Sequence, residues 1–159
     1  WGTFNTRLNA TVYTDYLFTD KKGNPVDVLG KQNARTNIAP PIPKIKMAWQ
    51  NNWFRNNHSA SMSVSWFSAV DHDAQIVDLY QFDGQFVPPS EIDEDPIIDV
   101  RYSYFMDDFF NSAVTLSAGV NNLLDYKPTL TGQIGGFESR LINNFYRQFF
   151  VSIDFTPGG

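Results

Sequence analysis

The strongest constraint on this chain is a period of two. From Gly2 to Phe18 the even positions read Gly2, Phe4, Thr6, Leu8, Ala10, Val12, Thr14, Tyr16 and Phe18, while the odd positions carry Thr3, Asn5, Arg7, Asn9, Thr11, Tyr13 and Asp15. Successive side chains of a strand point to opposite faces, so this is a strand with one dry side and one wet side. At about 17 residues it is far longer than the ~5–6 of ordinary soluble strands. The pattern recurs in 43–54 (Ile45, Met47, Trp49, Asn51, Trp53 against Lys44, Lys46, Gln50, Asn52) and in 59–70 (Ala60, Met62, Val64, Trp66 against Ser59, Ser61, Ser63, Ser65). It returns in 97–106, in 112–122 and in 145–155, where the dry faces are Ile98 to Met106, Val114 to Val120 and Phe145 to Phe155. No helical period competes. The fold class expected is all-β and antiparallel.

The connections alternate in length. Segments 19–42, 71–96 and 123–144 are long, whereas 55–58 and 107–111 are tight turns. A meander with short turns at one end and large loops at the other is the pattern of an up-and-down transmembrane β-barrel. Lys22-Gly23-Asn24 and Asp83-Gly84 read as hairpin tips inside the long loops, with strands that continue beyond a membrane before turning.

The aromatic residues indicate which face would meet lipid. A tilted strand advances by roughly 3.3 Å times ~0.7 per residue along the membrane normal. Phe4 to Tyr16 then spans about 28 Å, and Phe145 to Phe155 about 23 Å, bracketing the ~25 Å apolar band of a membrane barrel. Phe4, Tyr16, Trp53, Trp66, Tyr104 and Phe155 are the expected rim aromatics. The opposite face carries Asn5, Arg7, Asn9, Lys44, Lys46, Asp99 and Arg101. Burying such charges dry would cost several kcal/mol each, which opposes a soluble carbohydrate-binding sandwich and favours a lumen filled by water or a protein plug.

Composition narrows the rest. The chain holds no run of 18 apolar residues, so no transmembrane helix is expected. It has no Cys, which excludes thiolate chemistry, and a net charge of −5, which argues against a nucleic-acid partner. No cofactor is expected. Six strands are too few, since bacterial single-chain barrels start at about 8 and an open sheet would leave unsatisfied edges in lipid. The first strand begins at residue 2, as though cut at a turn. The expectation is therefore a fragment, 1–159 being the C-terminal part of a larger barrel. The alternative is a small self-contained outer-membrane barrel with a structural or adhesion role, drawing two more strands from 76–82 and 85–88.

Particular stretches point to a family. Leu116-Ser-Ala-Gly-Val-Asn-Asn-Leu-Leu-Asp125 resembles the "GVNNLFD" penultimate strand of TonB-dependent outer-membrane receptors, and Arg147-Gln-Phe-Phe-Val-Ser-Ile-Asp-Phe155 resembles their closing strand. Pro43-Lys44, the turn leading to His58-Ser-Ala60, and Asp99-Val-Arg-Tyr-Ser-Tyr104 are similar to segments nearer the start of the same region. Two departures are that Thr156-Pro157-Gly158-Gly159 follows Phe155, and that Asn144-Phe145-Tyr146 replaces the usual Gly before Arg147. The resemblance implies a plugged barrel of about 22 strands, of which these are the last six, with the plug domain and the TonB-contact segment outside this chain. It implies energised uptake of a scarce nutrient of siderophore, cobalamin or oligosaccharide type across the outer membrane of a Gram-negative bacterium. Implied partners are membrane lipid and lipopolysaccharide, the rest of the barrel and its plug, TonB through the plug, and the barrel-assembly machinery. Phe149, Val151, Ile153 and Phe155 fit the assembly signal of the closing strand.

Other residues were weighed for chemistry. Segment 71–96 holds eight of the chain's 17 acidic residues and no Lys or Arg. Its two flanks, Asp71-His72-Asp73 and Glu91 to Asp95, are expected to approach each other at its base. Clustered carboxylates suit Ca²⁺, but the usual loop spacing is missing, and a solvated acidic loop without bound metal is the expectation. Tyr80, Phe82 and Phe86 are the ligand-facing loop candidates. Ser68 with His72 and Asp71 or Asp73 lacks a nucleophile elbow, so no enzyme is expected.

Overall fold

The computed structural model describes residues 1–34, 39–72, 89–93, 95–107, 109–131, 137–141 and 146–157. These contain ten strands and no helix. Six of them form one open antiparallel sheet: β1 (Thr3–Val12), β4 (Ile45–Arg55), β5 (His58–Phe67), β8 (Ile97–Met106), β9 (Ser112–Asn121) and β10 (Gln148–Pro157), in that spatial order. Each is paired with its predecessor in the chain, so the sheet is a meander with β1 and β10 at its edges. Two small hairpins stand apart from it, β2 (Leu17–Thr19) with β3 (Pro25–Asp27), and β6 (Val70–Asp71) with β7 (Glu91–Ile92).

The register preserves face across every seam. Leu8 opposes Trp49, Trp49 opposes Val64, and Val64 opposes Ile98. On the other side of the sheet, Tyr104 opposes Leu116, which opposes Ile153. Within the six strands the expected dry residues therefore share one face; Phe145 lies outside the described residues. Among the described residues it is open over most of its extent: Phe149, Val151 and Ile153 are 76%, 79% and 68% exposed, although Val114, between Met106 and Phe155, is buried.

The apolar clusters lie elsewhere, at the end with the long connections. Phe67, Val70 and Ile92 pack with Tyr126, Phe137 and Leu141. Val28, Ala39 and Ile42 pack with Tyr13, Val26 and Leu29. The described parts of the three long connections thus form a cap with its own small core. Backbone bonds join two of them: Asp71 N–H donates to Gly30 O at 2.8 Å, and Gln32 N–H donates to Asp71 O at 3.0 Å.

The first segment differs from the sequence expectation. It is not one strand of about 17 residues. β1 stops at Val12, and Tyr13 adds one last bond by donating its N–H to Lys44 O. Beyond that point the partner strand would be Pro43, Pro41 and Pro40, and proline has no N–H to extend a ladder. The chain turns away and makes the separate β2–β3 hairpin. Its tip falls at the expected Lys22-Gly23-Asn24, where the Asp20 carboxylate accepts the N–H groups of Lys22 and Asn24 at 2.8 Å each. The backbone hydrogen bond from Asn24, more than any other cause, holds the Asp20 carboxyl below its usual value. The Asp83-Gly84 tip and the candidate strands 76–82 and 85–88 lie outside the described residues.

The stretch after β9 has a structural explanation. Asn122 sits at φ 53, in the left-handed region that Asn tolerates better than most residues. Its side chain accepts the N–H of Tyr126 and donates to Tyr126 O, both at 2.8 Å. Its own N–H donates to the Asp99 carboxylate at 2.8 Å. Asp125 then accepts the N–H of Arg147 at 3.1 Å, just before the closing strand. The Asn-Asn-Leu-Leu-Asp run is a tied knot joining the ends of β8, β9 and β10.

Asn122→Ala removes both side-chain bonds while leaving the left-handed backbone. The expected loss is about 1–3 kcal/mol of stability, read from the urea-unfolding midpoint. Asn122→Gly loses the same two bonds but relaxes the left-handed backbone, and should fall between the wild type and Asn122→Ala.

Candidate functional site

The wet face of the sheet gathers the polar residues into cross-strand rows. One row runs Arg7, Gln50, Ser63 and Asp99, and the next runs Asn5, Asn52, Ser61, Arg101 and Gly119. Four of the expected wet-face residues, Asn5, Arg7, Asp99 and Arg101, are thus brought onto adjacent rows. Asn9, Lys44 and Lys46 lie farther toward the cap, where an atom added to Gly30 would come within 2.9 Å of Lys44 Cε.

Arg101 is the organising cation. Its Nη2 donates to Ser117 Oγ at 2.8 Å and its Nε to Ser103 Oγ at 3.3 Å. The two serine hydroxyls bond each other at 2.8 Å and are buried beneath the guanidinium stem. Asp99 serves the β9 knot with one oxygen and accepts from Ser63 Oγ at 3.5 Å with the other. Between these rows lies a polar hollow of about 410 Å³, whose lining includes Gln50, Asn52, Ser63, Arg101, Asn121 and Phe150. It offers hydroxyl, amide and guanidinium groups, a set suited to holding water, sugar hydroxyls or a complementary polar protein surface.

Sequence reasoning missed Phe150 here. It is an aromatic on the wet parity of β10, among Gln148, Ser152 and Asp154, and that break of pattern was the available signal. Phe150 opposes Gly119, and a Cβ at Gly119 would stand 2.5 Å from the Phe150 ring and 2.5 Å from the carbonyl oxygen of Val100. The glycine of the Gly-Val-Asn-Asn run is what lets the ring lie flat on the sheet.

The second polar centre is in the cap. Glu138 is fully buried and accepts four bonds: from Arg140 Nε at 2.7 Å, Arg140 Nη2 at 2.9 Å, Arg140 N at 3.2 Å and Gln32 Nε2 at 3.0 Å. Burial pushes the Glu138 carboxyl up, but the hydrogen bonds from Arg140 and Gln32 outweigh it and leave the group below its ordinary value. The same contact raises Arg140. This carboxylate ties the first long connection to the third. Gln32 and Glu138 are 106 residues apart, and nothing in the sequence signals their meeting.

The remaining candidates fall as follows. Phe4, Trp53, Tyr104 and Phe155 lie at the short-turn end of the dry face, and Trp66 lies at its other end opposite Met47. Tyr16 is beyond the end of β1, its ring against Tyr13. Phe149, Val151, Ile153 and Phe155 all stand on the dry face of β10. Asp71 and Glu91 pair at the base of the acidic segment, as expected, but among the described residues no three acidic or imidazole groups converge on a metal position. The Ser68 hydroxyl accepts the N–H of Ile45 at 3.1 Å and so closes the β4–β5 seam. Tyr80, Phe82 and Phe86 lie outside the described residues. Compared with known protein families, curated proteins and solved structures, the chain matches none.

Because the Glu138 value is lowered on folding, its contribution is complete above the ordinary 4.5 and is lost as pH falls through the lower folded-state value. Protease cleavage of the cap should therefore accelerate on acidification below that point. Glu138→Gln should cleave faster at neutral pH and lose this part of the pH response. Equal pH responses in the two proteins would show that other carboxylates control the cap. Gly119→Ala should destabilise by about 1–3 kcal/mol, since the Val100 carbonyl cannot rotate away, and Phe150→Leu should not rescue it fully.

Proposed function

We propose that the chain is the C-terminal barrel segment of an outer-membrane TonB-dependent receptor, a transporter for active uptake of a scarce nutrient. The observation that carries the reading is the continuous, largely open apolar face backed by a charged and amide-rich one. A soluble monomer rarely leaves so large an apolar surface open. The six sheet strands are 10–11 residues long, which matches the ~9–11 of a tilted membrane-spanning strand. Ten residues advance about 23 Å along the normal, close to the ~25 Å apolar band.

The two ends support the same orientation. Tight turns of the kind found on the periplasmic side close one end, and a packed cap of long connections closes the other. The free edges of β1 and β10 require further strands, because unpaired backbone groups are costly in lipid. In this reading the wet face, with Arg7, Arg101 and the serine rows, faces the lumen and a plug carried elsewhere in the polypeptide. The cap over it is the outward surface that meets solute first. The class of nutrient is a siderophore, a cobalamin or an oligosaccharide. The chain has no enzymatic role, and its other partners are lipopolysaccharide, TonB through the plug and the barrel-assembly machinery.

The test has two parts. The polypeptide recovered from outer membranes in detergent should have a denaturing mass several times the 18.1 kDa of this chain. Cells without it should lose growth on one class among ferric chelates, cobalamins and oligosaccharides, with the same loss when the proton gradient is collapsed. An intact membrane protein near 18.1 kDa overturns the receptor reading in favour of a small barrel. Val151→Arg, at mid-length of β10 on the dry face, should cost about 2–4 kcal/mol in lipid and deplete the protein from the outer-membrane fraction, whereas Ser152→Arg on the wet face should not.

A further inference from the structure

At its short-turn rim the dry face carries a guanidinium and an imidazole side by side. Arg55 and His58 form the last cross-strand pair of β4 and β5, on either side of the Asn56-Asn57 turn, with the parity of Trp53 and Ala60. His58 Nδ1 and the Tyr102 hydroxyl share a hydrogen bond, and the His58 ring lies 5.0 Å from that of Tyr104. Arg55 makes no salt bridge among the described residues. A cation and an imidazole are thus held at the short-turn rim, whereas Arg147, of the same parity, stands before β10 at the opposite end.

Directly inward from that pair the surface drops away. Ala60 lies between Trp53 and Tyr102 in the cross-strand row, and Ala118 lies beyond Tyr102. Large, small, large, small along one row leaves a hollow of about 410 Å³, walled by Phe4, Trp53 and Tyr102, floored by Ala60, and reaching Met62, Val100 and the buried amide of Asn51. Its walls are pinned. Phe4 and Trp53 are ring neighbours at 6.5 Å, and Trp53 Nε1 donates to Trp1 O at 2.8 Å.

We propose that this rim and hollow form a specific site for one glycerophospholipid, its phosphate on Arg55 and His58 and one acyl chain lying in the groove over Ala60. The inference rests on the membrane reading above and adds an occupant to it. Charge complementarity selects the headgroup, since guanidinium and imidazole both donate to phosphate oxygens. The apolar hollow running inward from the same residues selects the chain. The short-turn end sets the leaflet as the periplasmic one, where the available phosphate is a phospholipid's.

The experiment uses the whole polypeptide, purified from membranes in mild detergent and mixed with either dioleoyl phosphatidylglycerol or dioleoylglycerol, which has the same chains without the phosphate. Native mass spectrometry should show the phosphatidylglycerol retained about tenfold more than the diacylglycerol. Arg55→Gln with His58→Gln should abolish that preference. Ala60→Phe should reduce retention of both lipids, and Ala10→Phe, on the same face away from the hollow, should reduce neither. Circular dichroism and heat-dependent gel mobility report folding. If Ala60→Phe does not fold, the double variant at the turn decides. Equal retention of the two lipids by the wild-type protein, or undiminished preference in the double variant, overturns the site while leaving the membrane reading intact. Recovery of the polypeptide from the soluble fraction overturns both.

Discussion

The structure depends on the agreement of face across five strand seams. Backbone pairing alone does not fix it, because a strand shifted by one residue can still form a ladder. What fixes it is that such a shift turns every side chain of the strand to the other face. A slip of β5 against β4 would carry Met62, Val64 and Trp66 to the wet side and the serines to the dry one. The same penalty applies at each seam, so the six strands hold one another in a single register. Neither face of the sheet is a core in the ordinary sense. The sheet is ordered by the contrast between its two faces, one apolar and one polar.

The cap obeys a different rule. Its elements are short, and its order comes from small apolar clusters and from side chains that bridge distant segments. Glu138 is the clearest case, since one buried carboxylate collects donors from two connections. Asp20, Asn122 and Asp125 do similar work locally, each satisfying backbone N–H groups where the ladder has stopped. Polar side chains thus stand in for secondary structure wherever the chain leaves the sheet.

This division explains how much was legible in the sequence. Five of the six long strands, their facing and their order could be read, because alternation is a local signal and burial on one side enforces it. The exception was the first segment, where alternation persisted through Tyr16 and Phe18 although pairing ended at Val12. The pattern of one strand says nothing about the donors of its partner, and prolines 40, 41 and 43 decided the matter. On the wet face, Arg101 and Asp99 were visible as charges, but their ties to Ser117 and Asn122 depend on register between strands. Phe150 was visible only as an anomaly. The Gln32–Glu138 contact had no signal, since it joins irregular segments across most of the chain.

The unequal ends of the sheet carry a consequence for how such a chain can vary. Asn56 and Asn57 join β4 to β5 in a two-residue loop, so an inserted residue there has to be absorbed by a different turn or a bulge if both strands are to keep their facing. The long connections have no such arithmetic. Residues can be added or removed between β5 and β8 in odd or even number without changing which way Val64 or Ile98 faces. One end of the molecule is therefore the more constrained, and the other is free to be rewritten. Related chains should keep the length of their tight turns and differ in their long connections.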